Sequence, residues 1–454
     1  MSISDKISKM ILPLATKIGN QRHLVAIRDA FVDITPIIMV NSLFILLNSL
    51  VLNQPAVLKV FPYAANLTQM GTMVNNGTMG FMTIFVTFII GYRLLNSYIA
   101  DGRISNNDIS PIHAGILSVA TALIMFPLNN QAVVSGSMKN VTVTGVYTQA
   151  LTSSGGMFVG LIAAILSTEL LLFFYKSKKL RIKMPDGVPP AVAQSFNSLI
   201  PESLVVIVFA VFSFAYVQIF HQGVTDLVQT IISKPLQAAM ESWIGCFVIQ
   251  FVTQFLWFFG LHGQNIVASV TSPPMLAAIQ QNMAAFAAHK AVPNIVTNPW
   301  LGMYTLFGGT GAILPFLIAI FIVSKRKDYR DVAKLGLLPS FFNVSEPIMF
   351  GLPVVMNPYF VIPFIFVPLI NLAIAYPLTM MGLVAKSVVI PAWTIPPILT
   401  TWVTTAGDIP ATILSLLLFI LDIFLYMPFV IASNKGIKVR SEKLNFSIVK
   451  LNLV

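Results

Sequence analysis

The hydrophobic positions of this chain fall into long runs that short polar stretches separate. A helix that crosses a membrane needs about 17–25 apolar residues. Nine runs meet that length, and they predict crossings at residues 31–52, 78–96, 112–128, 155–175, 202–220, 243–260, 301–324, 357–383 and 407–431. A tenth, weaker crossing is predicted within 264–290, where Pro273 and Pro274 interrupt the apolar run. The pattern predicts an all-α polytopic membrane protein.

Two further apolar stretches, residues 339–356 and 386–404, are too rich in proline for plain crossings. Non-helical backbone at membrane depth is tolerated where it is buried in protein or lines a watery cavity. We therefore predict re-entrant hairpins or loops in both places. Residues 222–241 and 328–338 are amphipathic and are predicted to lie along the membrane surface. Alternation in residues 141–147 predicts a small external hairpin.

Composition agrees with a membrane protein. The 454 residues are 56% hydrophobic and 9% charged, whereas a soluble domain carries roughly 25% charged residues. The net charge of +11 then reflects basic loops and contact with membrane lipid, and no nucleic acid partner is expected. The single cysteine, Cys246, lies in an apolar run and offers no disulfide or metal site. We expect no metal and no cofactor.

Three basic clusters determine the predicted topology. They lie at residues 176–183, 325–330 and 435–443, and loops rich in Lys and Arg stay in the cytoplasm. About ten crossings, the weak one included, place all three clusters inside, with both termini cytoplasmic.

Four regions follow from this topology. Residues 1–30 form an N-terminal amphipathic segment and 31–183 a transmembrane scaffold half. Residues 184–434 form a substrate-binding transmembrane half with the re-entrant segments, and 435–454 a cytoplasmic tail. The boundary near 184 rests on the Pro-rich break at 185–190, and the uneven placement of polar residues separates the scaffold from the substrate half.

Glu346 is the most informative candidate, because it is an acid in an apolar run broken by Pro347 and Pro353. An ionisable residue at membrane depth indicates a functional site. Its carboxylate can accept hydrogen bonds from sugar hydroxyls or act as a base, and the nearby Asn343 amide supplies a donor and an acceptor. The alternatives are a structural ion pair and a helix cap.

His262 lies in a second broken polar segment, residues 260–265. Gly260 and Gly263 flank it, and Asn265 follows three residues later. Histidine donates or accepts a hydrogen bond near neutral pH. A second broken segment could pair with that of Glu346 to form a chamber, so His262 and Asn265 are site candidates. The alternative is a histidine at a helix end, at the level of the lipid headgroups.

Trp257 and Trp393 are candidates for stacking on a sugar ring. Trp257 precedes His262 by five residues, and Trp393 lies in a Pro-rich break. The alternative is a belt of aromatic residues at the membrane interface.

Several of these stretches together resemble the membrane subunit, enzyme IIC, of the phosphoenolpyruvate-dependent sugar phosphotransferase system, in its lactose/cellobiose/chitobiose branch. The most specific is 342–353, Phe-Asn-Val-Ser-Glu-Pro-Ile-Met-Phe-Gly-Leu-Pro, followed by Met-Asn-Pro at 356–358. Residues 259–263, 185–192 and 393–397 support the resemblance. It extends in order over nearly the whole chain.

The resemblance implies ten transmembrane helices with re-entrant segments in a homodimer. It implies that the N-terminal half makes the dimer contact and the C-terminal half binds the sugar. Glu346 and His262 take the catalytic positions beside the hydroxyl that receives phosphate. Phe350 belongs to the matching stretch, and Gln194 and Ser195 fall in a loop that approaches the sugar.

The predicted function is a sugar permease in the bacterial cytoplasmic membrane. It would bind a β-linked disaccharide, cellobiose first, and present the C6 hydroxyl to a separate phospho-IIB protein at the cytoplasmic face. The permease would supply no covalent intermediate of its own. Lactose or diacetylchitobiose is the alternative sugar. A proton-coupled secondary transporter and a non-transporting scaffold or sensor are the alternative functions.

Overall fold

Helices form most of the chain that the structure describes. The structure is a computed structural model that describes residues 17, 20–105, 108–133, 140–182, 184–185, 187–352, 354–355, 357 and 359–451, the last seventeen of them by their backbone only. The predicted N-terminal segment 1–30 lies partly outside the described residues, and its described part includes the start of a helix at Arg22.

The α-helices are α1 Arg22–Asp33, α2 Thr35–Leu46, α3 Pro55–Val60, α4 Ala64–Gly77, α5 Met82–Ala100, α6 Pro111–Met125, α7 Met157–Tyr175, α8 Pro190–Phe220, α9 Val224–Val228, α10 Lys234–Glu241, α11 Trp243–Phe258, α12 Gly263–Ala287, α13 Asn298–Thr305, α14 Ile313–Val323, α15 Lys327–Phe341, α16 Glu346–Gly351, α17 Val361–Met380, α18 Leu399–Thr404 and α19 Ile409–Leu451. Two strands, β1 Asn130–Val133 and β2 Asn140–Val143, pair antiparallel with Asn130 opposite Val143. A small hairpin was predicted in this segment, residues 130–154, from the alternation at 141–147, and the two strands confirm it.

Six helical stretches are long and apolar enough to cross a membrane within the described chain. They are Arg22–Leu46, Ala64–Ala100, Leu151–Tyr175, Ala191–Phe220, Val361–Met380 and Ile409–Asn434. Each of the ten predicted crossings overlaps a helix, while the count of ten and the side on which the termini lie stay predictions.

Two predicted crossings have a different form. Residues 301–324 are not one helix, because α13 ends at Thr305 and α14 begins only at Ile313. The loop between them contains Gly308, Gly309 and Gly311 with φ of 81°, 102° and 71°, and helices cannot contain such residues. Conversely, α12 runs without a break through Pro273 and Pro274.

The chain divides into two compact units. The first comprises residues 17–239 with 268–281, and the predicted boundary at 184 lies inside it. Here α5, α6 and α7 pack closely: a methyl group at Gly160 would lie 2.1 Å from the Thr87 Oγ1. Ser118 and Ser167 share a hydrogen bond of 3.1 Å between buried hydroxyls. Small residues let membrane helices approach in this way.

The second unit comprises residues 240–267 and 282–454. In it α11 packs against α17, and α14 packs against α15 and α19. Residues 339–356 are broken as predicted, since α15 ends at Phe341 and α16 spans only Glu346–Gly351. A methyl group at Gly336 would lie 1.9 Å from the Ile348 Cδ1, so α15 and α16 pack tightly as a hairpin. Residues 386–404 are likewise irregular until α18 begins.

Candidate functional site

Glu346 is the first residue of α16, and Pro347 follows it within the first helical turn. Proline suits this position, because its fixed φ fits a helix and its missing N–H is not needed there. The Glu346 side chain is exposed, and no salt bridge or side-chain hydrogen bond joins it to another described residue. Its carboxylate oxygens are thus open to a ligand.

Asn343 connects the start of α16 to two other segments. Its Nδ2 donates to the carbonyl oxygens of Trp393 and Ile395, both at 2.8 Å. Its Oδ1 accepts from the Gly308 backbone N–H at 3.1 Å. Asn343 has φ of 63°, a left-handed conformation that asparagine tolerates better than most residues. The Asn343 amide therefore ties its own segment to the segments around Gly308 and Trp393. The predicted sugar contact by Asn343 stays a prediction.

The loop at 306–312, which we call the glycine loop, packs directly behind Ser345. A methyl group at Gly309 would lie 2.6 Å from the Ser345 Cβ and 3.0 Å from the Asn343 carbonyl oxygen, so only glycine fits there. Thr310 Oγ1 donates to Gln254 Oε1 on α11 at 2.9 Å, and both side chains are buried. The glycine loop is thereby joined to α11.

His262 caps α12. Its Nδ1 accepts from the Asn265 backbone N–H at 3.3 Å, and side-chain caps of this kind satisfy otherwise unpaired N–H groups at a helix start. His262 and Asn265 are both exposed. His262 thus lies at a helix end, which is the position that its alternative interpretation gave it.

Trp257 lies beside His262, with their ring centroids 4.5 Å apart. Trp257 is buried and its Nε1 donates to Gln264 Oε1. The corner between α11 and α12 is tight, because a methyl group at Gly263 would lie 2.0 Å from the Thr253 carbonyl oxygen. Trp257 therefore packs inside the corner that presents His262.

The His262 corner and the Glu346 hairpin meet at Gly260. Gly260 has φ of 77°, and a methyl group there would lie 3.3 Å from the Val355 Cγ1. Val355 follows α16 by four residues. The second unit thus places the two predicted broken polar segments in contact.

Trp393 and Phe350 present exposed rings. Trp393 is 67% exposed and Phe350 is 60% exposed. Asn343 fixes the backbone of Trp393, and Phe350 lies one helical turn after Glu346. An indole that is held by its backbone and left free at its ring is suited to stacking on a ligand.

Gln194 and Ser195 lie on α8, in the first unit, so the expectation that they fall in a loop is wrong: the helix begins at Pro190, and proline suits the first position of a helix. Ser195 is exposed, and its hydroxyl donates to the Ala191 carbonyl oxygen at 3.1 Å. The other predicted site residues all belong to the second unit.

Gln254 and Thr310 were not among the predicted site residues. The signal for Thr310 was the Gly-Gly-Thr-Gly sequence at 308–311, inside a predicted crossing, and that for Gln254 was an amide in an apolar run. In the described part of the chain, no group of three His, Cys, Asp or Glu side chains is arranged to hold a metal ion.

Comparison with known proteins places these features in context. The family described as "Phosphotransferase system, EIIC" matches residues 28–368. The chain is 33% identical to the oligo-beta-mannoside-specific EIIC component of Bacillus subtilis (strain 168), over 95% of this chain and 94% of that protein. It is 30% identical to the cellobiose-specific EIIC component of Lactococcus lactis subsp. lactis (strain IL1403), over 95% and 98%.

A solved structure is similar along almost the full chain. The crystal structure of the transporter ChbC, the IIC component of the N,N'-diacetylchitobiose-specific phosphotransferase system, matches with a TM-score of 0.85 and 31% identity. The match covers 96% of this chain and 99% of that one.

Proposed function

The chain belongs to the EIIC family of the phosphotransferase system, a family of membrane sugar permeases, and from that premise we propose that it binds and translocates a β-linked disaccharide, cellobiose first. The sugar's C6 hydroxyl would be presented to a separate phospho-IIB protein. The observation that carries the proposal is the exposed Glu346 carboxylate at the start of α16, in a broken segment whose Val355 lies against Gly260 of the His262 corner.

Glu346 would accept the hydrogen bond of the reacting hydroxyl and take up its proton as phosphate is transferred. A carboxylate without an internal partner can form a charge-assisted hydrogen bond with a ligand at no cost of breaking an existing one. His262 would hold the same hydroxyl or the incoming phosphate, since an imidazole donates or accepts a hydrogen bond near neutral pH. No bond to the protein forms in this scheme.

Trp393 and Trp257 have different roles in the proposal. The exposed Trp393 ring would stack on an apolar face of the sugar, and Phe350 would cover an adjoining face. Trp257 is buried behind His262, so it supports the site wall unless a sugar displaces its neighbours. Asn265 and Asn343 remain proposed substrate contacts as polar side chains of the two broken segments, and Gln194 and Ser195 through the family resemblance.

The proposal extends to topology and partners. About ten crossings with cytoplasmic termini, contact with membrane lipid and a homodimer formed by the N-terminal half follow from the charge pattern and the family resemblance. Cellobiose and oligo-β-mannoside occur in the names of relatives, and diacetylchitobiose in that of the structural neighbour. These names support a β-linked sugar and leave lactose or diacetylchitobiose as alternatives to cellobiose.

Uptake into membrane vesicles tests the mechanism. With the soluble phosphotransferase proteins and phosphoenolpyruvate inside, we expect sugar phosphate to accumulate, and without them no uphill uptake. Accumulation of unmodified sugar driven by a proton gradient would instead establish the proton-coupled alternative. No uptake under either condition, in protein that is folded and inserted, would favour a scaffold or sensor.

Binding of a disaccharide panel to the purified protein tests the substrate. Cellobiose, lactose, diacetylchitobiose and a β-mannobiose differ in hydroxyl stereochemistry or acetamido groups, and pockets discriminate these through a few hydrogen bonds. We expect cellobiose to bind most tightly. Maltose, which is α-linked, is the matched control and should not compete.

A further inference from the structure

The glycine loop is held at both ends by buried polar residues that lie outside the predicted site. At its C-terminal end, the Tyr426 hydroxyl on α19 donates to the Gly311 carbonyl oxygen. Just before its N-terminal end, Asn371 Nδ2 on α17 donates to the Tyr304 carbonyl oxygen at 3.0 Å. These two bonds bracket the loop.

Asp422 connects the two anchors. The same Asn371 Nδ2 donates to Asp422 Oδ2 at 2.9 Å, and Asp422 lies one helical turn before Tyr426 on α19. Asp422 and Asn371 are fully buried, and Tyr426 is 1% exposed. Helix α19 therefore carries two polar side chains one turn apart: Tyr426 bonds the glycine loop directly, and Asp422 bonds Asn371, which holds the chain just before the loop.

Asp422 acts here through hydrogen bonding. Among the described residues no Lys, Arg or His forms an ion pair with it, and its contact is the neutral Asn371 amide. A buried charge without a partner is costly, whereas a buried polar group with a hydrogen bond is tolerated. An amide of the same shape should therefore serve in its place.

The glycine loop transmits this restraint to the site. Its Gly308 N–H donates to Asn343, and Gly309 packs against Ser345, the residue before Glu346. Three of the residues with positive φ in the loop, 308, 309 and 311, are glycines, which have many conformations open to them, so bonds at both ends of the loop are what fixes its course. The position of the Glu346 backbone thus depends on anchors in α17 and α19.

We propose that Asp422, Asn371 and Tyr426 are positioning residues, which hold the glycine loop and through it the start of α16 in the geometry that binds substrate. This inference deepens the proposed function and rests on it for its effect on sugar binding. Its structural part, the dependence of residues 306–312 and 342–346 on these anchors, can be measured without any sugar.

The chain offers a matched pair of buried tyrosines for the test. Tyr426→Phe removes the hydroxyl that donates to Gly311. Tyr304→Phe is the control, because the Tyr304 hydroxyl is buried and has no hydrogen-bond partner in the described chain. Hydrogen exchange followed by mass spectrometry reads the two site peptides, with a peptide from α5 as reference.

We expect Tyr426→Phe to speed exchange at 306–312 and 342–346 by about fivefold, the effect of one hydrogen bond, and to leave α5 unchanged. Disaccharide affinity should fall by a similar factor. Tyr304→Phe should match wild type in both measurements. Wild-type exchange at the site peptides of Tyr426→Phe, or equal effects of the two substitutions, would overturn the proposal.

Asp422 variants separate hydrogen bonding from charge. Asp422→Asn should retain wild-type exchange and affinity, whereas Asp422→Leu should loosen the same peptides. If exchange in Asp422→Asn is as fast, and affinity as low, as in Asp422→Leu, the hydrogen-bonding role is refuted. If Asp422→Leu does not fold, the tyrosine pair still decides. Wild-type protein that binds no disaccharide would contradict the proposed function. The exchange rates at 306–312 and 342–346 would still show whether the loop depends on Asp422, Asn371 and Tyr426.

Discussion

Glu346 and Asn343 are three residues apart, and they differ in whether their side chains are bound within the protein. The Asn343 amide is occupied by three backbone groups, while the Glu346 carboxylate is exposed and forms no salt bridge or side-chain hydrogen bond in the described chain. One residue holds the hairpin, and the other is available to a ligand. A substitution at each should therefore change a different property.

Glu346→Gln keeps the shape of the side chain and removes its charge. We expect disaccharide affinity to fall by about 1–3 kcal/mol, roughly tenfold to a hundredfold, because a charge-assisted hydrogen bond becomes a neutral one. Thermal stability should change little, since Glu346 forms no salt bridge or side-chain hydrogen bond within the described chain. Isothermal titration and thermal unfolding in detergent measure both. Asp331→Asn, an exposed acid on α15, is the control, and wild-type affinity in Glu346→Gln would remove Glu346 from the site.

The two candidate tryptophans should respond differently. Trp393→Ala removes an exposed ring and should weaken sugar binding by about 1 kcal/mol without loss of stability. Trp257→Ala empties a buried position, so it should lower the free energy of unfolding by about 3–5 kcal/mol. Thermal unfolding beside a binding titration distinguishes them. Stable Trp393→Ala protein with unchanged affinity would assign Trp393 to the membrane interface.

The candidate site residues are visible in the sequence, whereas their contacts are not. Glu346 and His262 are polar residues in apolar runs, and prolines interrupt the chain near Glu346. Both features can be seen from neighbouring residues alone. That Asn343 would bond to the backbone at 393–395 was not visible, because it depends on contacts fifty residues away. Burial of Trp257 and exposure of Trp393 are likewise set by packing.

At the scale of elements, the corner between α11 and α12 is the most constrained part of the site. Gly263 is nearly in contact with the Thr253 carbonyl oxygen, and backbone atoms cannot move aside as a side chain can. The corner presents His262 and covers Trp257. Its geometry should therefore tolerate no side chain at position 263.

Gly263→Ala should lower thermal stability and disaccharide affinity together, at a cost of about 1–3 kcal/mol or more. Gly302→Ala is the control. Its added methyl group would lie 3.6 Å from the Leu306 Cδ1, an ordinary contact, and alanine favours a helix over glycine by about 0.5–1 kcal/mol. Thermal unfolding should show lower stability than wild type for Gly263→Ala and higher stability for Gly302→Ala. Equal stability of the two variants would mean that the α11–α12 corner accommodates a methyl group without a loss of stability.

Helices were predicted well where the apolar pattern was long. They were predicted poorly where the effect of a glycine or a proline determined whether the helix continues. Composition favoured a single helix at 301–324, yet three glycines with positive φ end it and create the glycine loop. Pro273 and Pro274 suggested an interruption, yet α12 accommodates both. A proline in the middle of a membrane helix is tolerated when neighbouring groups satisfy the carbonyls that it frees.

For the molecule as a whole, the charge pattern bears on how a phosphodonor protein would approach. In the cluster at 325–330, the Arg326 guanidinium hydrogen-bonds Asp328, which lowers the pKa of that carboxyl. The pair therefore persists at neutral pH and is lost only as the pH falls through the lowered value. Arg326 also stacks on the Tyr329 ring, while Lys325 and Lys327 are exposed.

Lys325→Gln with Lys327→Gln tests whether the cluster steers the partner. We expect slower phosphoryl transfer from phospho-IIB at low salt, a smaller salt dependence, and unchanged disaccharide affinity, because electrostatic steering acts on the association rate. Lys290→Gln is the control, an exposed lysine on the predicted external side. Transfer at the wild-type rate at both low and high salt would reduce the cluster to a topology signal.

The hydrogen bonds of Asn343 also bear on how sugar preference can diverge among proteins built this way. Its amide contacts main-chain atoms of residues 308, 393 and 395, and every amino acid supplies the carbonyl groups it needs. Replacement of the Trp393 ring would therefore leave the attachment intact. Under the proposed stacking of Trp393 on the sugar, a change of side chain at position 393 would alter sugar preference without requiring a compensating change at Asn343, so we would choose that position first for transferring a new specificity.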